Sequence, residues 1–138
     1  MADIFVCYAR DDKDKVDPIV KALQEYKFSF YYDEDDKLGN NRWRKKVYQE
    51  LVNAHCLIIF LSNAIKKAHW MNEEKQLFIE LHKKNSAKYI CCVYIENNLN
   101  IGFFPHIDHH SNLTNWNGDS NSQEWQKFIS FISKCLTI

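Results

Sequence analysis

At 138 residues, with 46% hydrophobic and 26% charged side chains, the chain has the make-up of one globular domain (residues 1–138) and not of a disordered or fibrous protein. Eighteen basic residues cancel eighteen acidic ones, so no global electrostatic case exists for nucleic acid or an anionic membrane as partner. No apolar run reaches the length of a membrane span, and Met1-Ala2-Asp3 lacks the charged and apolar regions of a signal peptide. The five cysteines follow no metal or disulfide spacing. They read as reduced core residues of a cytoplasmic protein.

The elements alternate along the chain. Residues 4–8 form a first apolar strand, and Asp11 and Asp12 are suited to opening the helix that follows. Val16, Ile19, Val20 and Leu23 recur at helical spacing, with Pro18 in the first turns. Residues 28–32 make the second strand, which runs into the acidic cluster 33–36 and the loop 38–41. Trp43, Val47, Leu51 and Ala54 form the next helical stripe. Residues 56–61 are the strongest strand, a continuous apolar run suited to burial on both faces. A helix over 67–84 follows, then a fourth strand over 89–95 in which Cys91 and Cys92 point to opposite faces. Beyond the polar stretch 96–108, a fifth strand is expected over 113–116. The closing helix carries Trp125, Phe128, Ile129, Ile132 and Leu136 on one side.

This alternation predicts an α/β, flavodoxin-like, three-layer fold: a five-stranded parallel sheet in the order 2-1-3-4-5, with helices on both faces. Ligands of such sheets bind outside the carboxyl ends of the first and third strands, where the winding reverses. Here those ends are Tyr8-Ala9-Arg10 and Ser62-Asn63.

The helix over 67–84 holds the most unusual residue. At about 100° per residue, Trp70, Leu77, Phe78 and Leu81 cover one apolar arc, and Glu74 falls inside it. An unpaired buried carboxylate is costly, so it needs a partner, a shifted pKa or a wet cleft. A rim position paired with Arg10 or Lys37 is the structural alternative.

The order and spacing of these residues resemble the Toll/interleukin-1 receptor (TIR) domain. The stretch from Asp3 to Asp12 is similar to its opening box. Phe30-Tyr31-Tyr32-Asp33, Leu38-Gly39 and Trp43 resemble its second strand and following loop. Leu61-Ser62-Asn63, with Trp70 and Glu74, resembles the signature of the bacterial, NAD-cleaving branch. The likeness runs from Asp3 to about Glu96. Cys7 stands where a serine is usual, Lys27 replaces a glycine, and no proline adjoins Gly39.

What the resemblance implies is an NAD+ glycohydrolase or cyclase. Its products are nicotinamide and ADP-ribose or a cyclic ADP-ribose isomer, and its setting is bacterial anti-phage immunity. Glu74 is then the catalytic carboxylate, and Tyr8, Ala9, Arg10, Asp33, Leu38, Gly39, Trp43, Ser62 and Trp70 line the substrate. NAD+ is substrate, no cofactor is needed, and partners are other copies of the domain and a sensor domain or partner protein. Each supporting residue has a plainer role open to it. Tyr8 stacks on ligand or packs in the core; Trp43 anchors its helix or touches ligand; Ser62 bonds ligand or caps a turn. No metal site is expected, since the run Asp33 to Asp36 and the cluster His106, Asp108, His109, His110 lack ligand spacing. The alternative function is a non-catalytic TIR–TIR signalling module. A flavin site, a phosphoacceptor receiver and a Walker loop are excluded by Ala9-Arg10, by Ser62-Asn63 and by the scattered glycines.

Overall fold

A computed structural model of the chain describes residues 3–8, 12–26, 28–32, 49–50, 52–62, 80, 83, 89–96, 108–114 and 116–136. The strongest apolar run becomes the centre of the sheet. β3 (Cys56–Leu61) is buried at every position and lies between β1 (Ile4–Cys7) and β4 (Tyr89–Tyr94). β2 (Phe30–Tyr31) and β5 (His109–Asn112) form the edges, in the order β2-β1-β3-β4-β5. All four pairings are parallel, as the alternation of elements requires.

Laterally paired residues share a face of the sheet. Ile4, Val6, Cys56, Ile58, Phe60, Cys91 and Val93 meet the buried stripes of α1 (Lys13–Gln24) and of the closing helix (Gln123–Leu136) in one core. Phe5, Cys7, Leu57, Ile59, Leu61, Ile90 and Cys92 take the opposite face and are buried as well. Each large apolar side chain fully buried in this way stabilises by roughly 1.5–3 kcal/mol, so β3 and β4 anchor the domain. Cys91 and Cys92 divide between the two faces as strand geometry demands. None of the five cysteines forms a disulfide, and all are buried.

α1 buries Val16, Ile19, Val20 and Leu23, the spacing of an amphipathic helix. Pro18 lies within it on the exposed side, where its missing N–H removes one helical bond. The closing helix buries Trp125, Phe128, Ile132 and Cys135. Ile129 and Leu136 sit at the margin of that stripe, half-buried, so Cys135 and not Leu136 is the innermost residue of the last turn.

The fifth strand is displaced from its expected place. It occupies His109–Asn112, not 113–116. No apolar run marks it, because an edge strand is held by its backbone: His109, His110, Ser111 and Asn112 pair with Cys91, Cys92, Val93 and Tyr94. Leu113 and Trp116 belong to the turn beyond. The Trp116 N–H donates to the Leu113 carbonyl at 3.1 Å, and the Trp116 ring stacks on Trp125 at 4.2 Å. Their hydrophobicity serves packing against the closing helix. The second strand is also shorter than 28–32, since only Phe30 and Tyr31 pair with β1.

Candidate functional site at the carboxyl edge of the sheet

The carboxyl ends of β1, β2 and β3 lie side by side, because β1 sits between the other two. Tyr8 follows β1 and Tyr32 follows β2. Their rings lie 5.0 Å apart at 44°, and both pack against the core while staying partly exposed. The Tyr32 hydroxyl donates to Oδ1 of Asp17 on α1. Burial, that hydrogen bond and the neighbouring Tyr8 hydroxyl together push the Tyr32 phenol well above the usual tyrosine range.

Asp12 and Ser62 meet at the same edge of the sheet, one after β1 and the other directly after β3. The Ser62 hydroxyl donates to Oδ2 of Asp12. Asp12 is 4% exposed and Ser62 is fully buried. Asp12 occupies the N-cap position of α1, yet its side chain makes no capping hydrogen bond to that helix. The expectation that Asp12 opens the helix holds for its place and not for its side chain, which serves a long-range contact instead. A buried carboxylate that accepts a hydroxyl hydrogen bond avoids most of its desolvation cost.

The first turns of α1 also reach a fourth strand. Lys15 Nζ lies 3.5 Å from Oε1 of Glu96, two residues beyond β4. This pair is solvent-exposed and contributes little by itself. Taken together, Asp12, Lys15 and Asp17 connect the start of α1 to the ends of β3, β4 and β2. The edge of the sheet where the winding reverses is thus a polar rim over an apolar sheet. It carries two partly exposed phenols and the Asp17 carboxylate bonded to one of them, while Asp12 and Ser62 are bonded to each other in the interior.

A family model for the TIR domain matches residues 4–129. The chain belongs to the TIR domain family. The fold of this TIR domain is similar to the crystal structure of the TIR domain of the Toll-related receptor TRR-2 from Hydra magnipapillata, with a TM-score of 0.73. The two are 15% identical, and the likeness covers 96% of this chain and 99% of the other. No curated protein matches the chain.

Of the residues singled out in the sequence, Tyr8 and Ser62 belong to this rim on adjacent strands. Ala9, Arg10, Asp33, Leu38, Gly39, Trp43, Trp70 and Glu74 lie outside the described residues, as do His106 and the acidic run 33–36. Sequence reasoning missed Asp17 and Tyr32 as a pair and Asp12 as the partner of Ser62. The available signal was slight: acidic residues early in a helix whose strand neighbours end in hydroxyl-bearing side chains.

The cluster around His109 has structural roles. The Asp108 carboxylate accepts the Ile90 N–H at 2.8 Å. His109 stacks on Phe131 at 4.6 Å, and its Nε2 lies 2.9 Å from the Ser111 hydroxyl. His110 stacks on Tyr94 at 6.0 Å. Burial, with a smaller effect of His110, lowers the His109 pKa. Among the described residues no group of three or more His, Cys, Asp or Glu side chains is placed to hold a metal ion. No helix among them is long and apolar enough to cross a membrane.

Proposed function

We propose that this TIR domain is an NAD+ glycohydrolase or cyclase, cleaving the bond between nicotinamide and ribose with Glu74 as the catalytic carboxylate. The observation that carries the reading is the place of Glu74 in the sequence: inside the apolar arc of Trp70, Leu77, Phe78 and Leu81, in the segment that leaves β3. A signalling surface has no need of a carboxylate in such an arc. Support also comes from the polar rim at the ends of β1 and β3, the place where sheets of this winding bind ligands.

The chemistry asks little of the protein. Nicotinamide in NAD+ is a cationic pyridinium and leaves without a general acid. The remaining ribosyl cation resembles the oxocarbenium species of glycoside cleavage, although the paired-carboxylate arrangement is not required. A carboxylate close to the ribose bonds its hydroxyls and stabilises the developing positive charge. An apolar wall such as Trp70 strengthens that interaction by lowering the local dielectric. Arg10 is placed in sequence to meet the diphosphate, and Tyr8 to lie against a ring. Water reaching the cation yields ADP-ribose, whereas the adenine reaching it yields a cyclic isomer. TIR domains generally self-associate through TIR–TIR contacts, and activity is proposed to depend on that assembly, with NAD+ depletion or the cyclic product as the immune output.

The test is NAD+ consumption and nicotinamide release by wild type and Glu74→Gln, at high protein concentration with a crowding agent. Loss of NAD+ with wild type alone supports the enzyme and the site. If folded, self-associating wild type leaves NAD+ intact, the protein is instead a TIR–TIR interaction module.

A further inference from the structure

The asparagines among the described residues are Asn53, Asn112, Asn117 and Asn121. After three of them, the next backbone N–H is committed to a hydrogen bond. That of Ala54 donates to the Glu50 carbonyl at 3.0 Å, that of Leu113 to Tyr94 at 2.9 Å and that of Ser122 to Asp119 at 3.2 Å. Asn117 differs. It precedes Gly118, whose N–H donates to no described residue, and both residues are exposed. Gly118 stands in open space, where a Cβ would meet nothing within 4 Å, and its φ of 95° is one that side-chain-bearing residues rarely adopt. The Asn117 Oδ1 accepts the Asp119 N–H at 3.1 Å. That bond closes a ring of atoms containing both the Asn117 Cγ and the Gly118 nitrogen, so the carboxamide is held on the nitrogen's side of the chain.

We propose that Asn117–Gly118 is a site of spontaneous covalent modification in the folded protein, where the Gly118 nitrogen attacks the Asn117 carboxamide and converts the turn to isoaspartate, freeing Trp116 from Trp125. The Gly118 nitrogen gives up its proton and bonds to the Asn117 Cγ. The Nδ2 group takes up a proton and leaves as ammonia, and a cyclic imide remains. The Asp119 N–H on Oδ1 stabilises the negative charge that collects there as the nitrogen adds. Water then opens the imide. Breaking the Cγ–N bond gives aspartate on an unchanged main chain. Breaking the bond from nitrogen to the main-chain carbonyl carbon gives isoaspartate, whose main chain runs through Cβ and Cγ and is longer by a methylene. Water is the only co-reactant, and no residue assigned to NAD+ cleavage takes part. The longer path falls between two groups that are tied together: the Trp116 Nε1 donates to the Asp119 carbonyl at 2.9 Å. That tie holds the Trp116 ring on Trp125, at 4.2 Å and 10°, between β5 and the closing helix.

The experiment incubates the folded full chain at mildly alkaline pH and follows each asparagine by peptide mapping and mass spectrometry, with a sample in urea alongside. Asn117 is expected to convert at least about 10-fold faster than Asn53, Asn112 and Asn121, since each of those needs a backbone hydrogen bond broken before its neighbour's nitrogen is free. Isoaspartate is identified by methyl transfer from S-adenosylmethionine with an isoaspartate-specific carboxyl methyltransferase. Ion exchange separates the products, and near-ultraviolet circular dichroism reads the stacked tryptophans. Both products carry a new charge, but only the isoaspartyl form has the longer main chain. It should lose the signal of the Trp116–Trp125 pair while the aspartyl form keeps it. Asn117→Gln, whose longer side chain closes a larger and slower ring, should keep that signal and show no conversion at this position.

Conversion of Asn117 in urea but not in the folded chain overturns the proposal, because the native turn then protects the bond. Rates at Asn112 or Asn121 equal to that at Asn117 overturn it as well, since a free neighbouring nitrogen would then confer nothing. An isoaspartyl product with the tryptophan signal intact refutes the release of Trp116.

Discussion

The two edges of the sheet use the same pair of residues to different ends. At the amino edge, the Ser29 hydroxyl donates to Oδ2 of Asp3 at 2.9 Å and accepts the Asp3 N–H at 2.8 Å. The Asp3 carbonyl in turn accepts the N–H groups of His55 and Cys56 at 2.8 and 3.1 Å. Side chains and backbone there reinforce one another, and the contact is only partly buried. At the carboxyl edge, Ser62 and Asp12 are buried, and the aspartate stands at a helix N-cap without capping it. An aspartate–serine pair among backbone ladder bonds stitches strands that would align anyway. The same pair at the carboxyl edge is buried and ties the start of α1 to the end of β3, at the edge where sheets of this winding take ligands.

The comparison is broken or sharpened by variants at both edges. The largest effect belongs to Glu74→Gln, expected to lower NAD+ cleavage by about 100- to 1000-fold, as loss of a single transition-state stabilising group does, while thermal unfolding is nearly unchanged. A nicotinamide-release assay beside calorimetry checks it. Next comes Ser62→Ala, expected to destabilise by about 1–3 kcal/mol, against about 0.5–1.5 kcal/mol for Ser29→Ala. Urea unfolding of the two measures the difference directly. Equal losses would show that burial does not separate the edges.

Smaller still is an alkaline effect at Tyr32. Its phenol is held above the usual range in the folded state, chiefly by burial and then by Asp17. A group whose folded pKa is raised keeps its contribution below the unfolded value and loses it as pH climbs beyond. Unfolding free energy should therefore fall as pH rises above about 10, where the unfolded tyrosine ionises first. Tyr32→Phe should flatten that slope while also removing the bond to Asp17. The smallest effect is at His109, whose pKa is lowered mainly by burial. Its contribution is present above the usual histidine pKa and is lost as pH falls through that range. His109→Phe, which keeps a ring against Phe131, should reduce the acid-side slope of stability between about pH 7 and 5.

How much of this was legible beforehand varies with the physics involved. The sheet order followed from alternating strands and helices. β3 was plain as a continuous apolar run, and the buried stripe of α1 as Val16, Ile19, Val20 and Leu23. β5 was misplaced because His109–Asn112 is held by main-chain pairing, which leaves no mark on side-chain hydropathy. Leu113 and Trp116 looked like a strand because they are apolar, yet their apolarity serves the stack on Trp125. Tyr8 and Ser62 were readable as ends of strands, whereas Asp12 was readable only as a helix opener.

By itself, then, the sequence determined the fold class, the strand order, the core faces and the edge at which a site should be sought. Each of these depends on periodicity or on burial of contiguous residues, and such signals are local. Only the tertiary structure decided which polar groups meet. Asp12 with Ser62, Asp17 with Tyr32 and Lys15 with Glu96 are joined across 50, 15 and 81 positions. A hydrogen bond depends on distance and angle in space, and no spacing along the chain encodes which distant partner the folded sheet will bring to it.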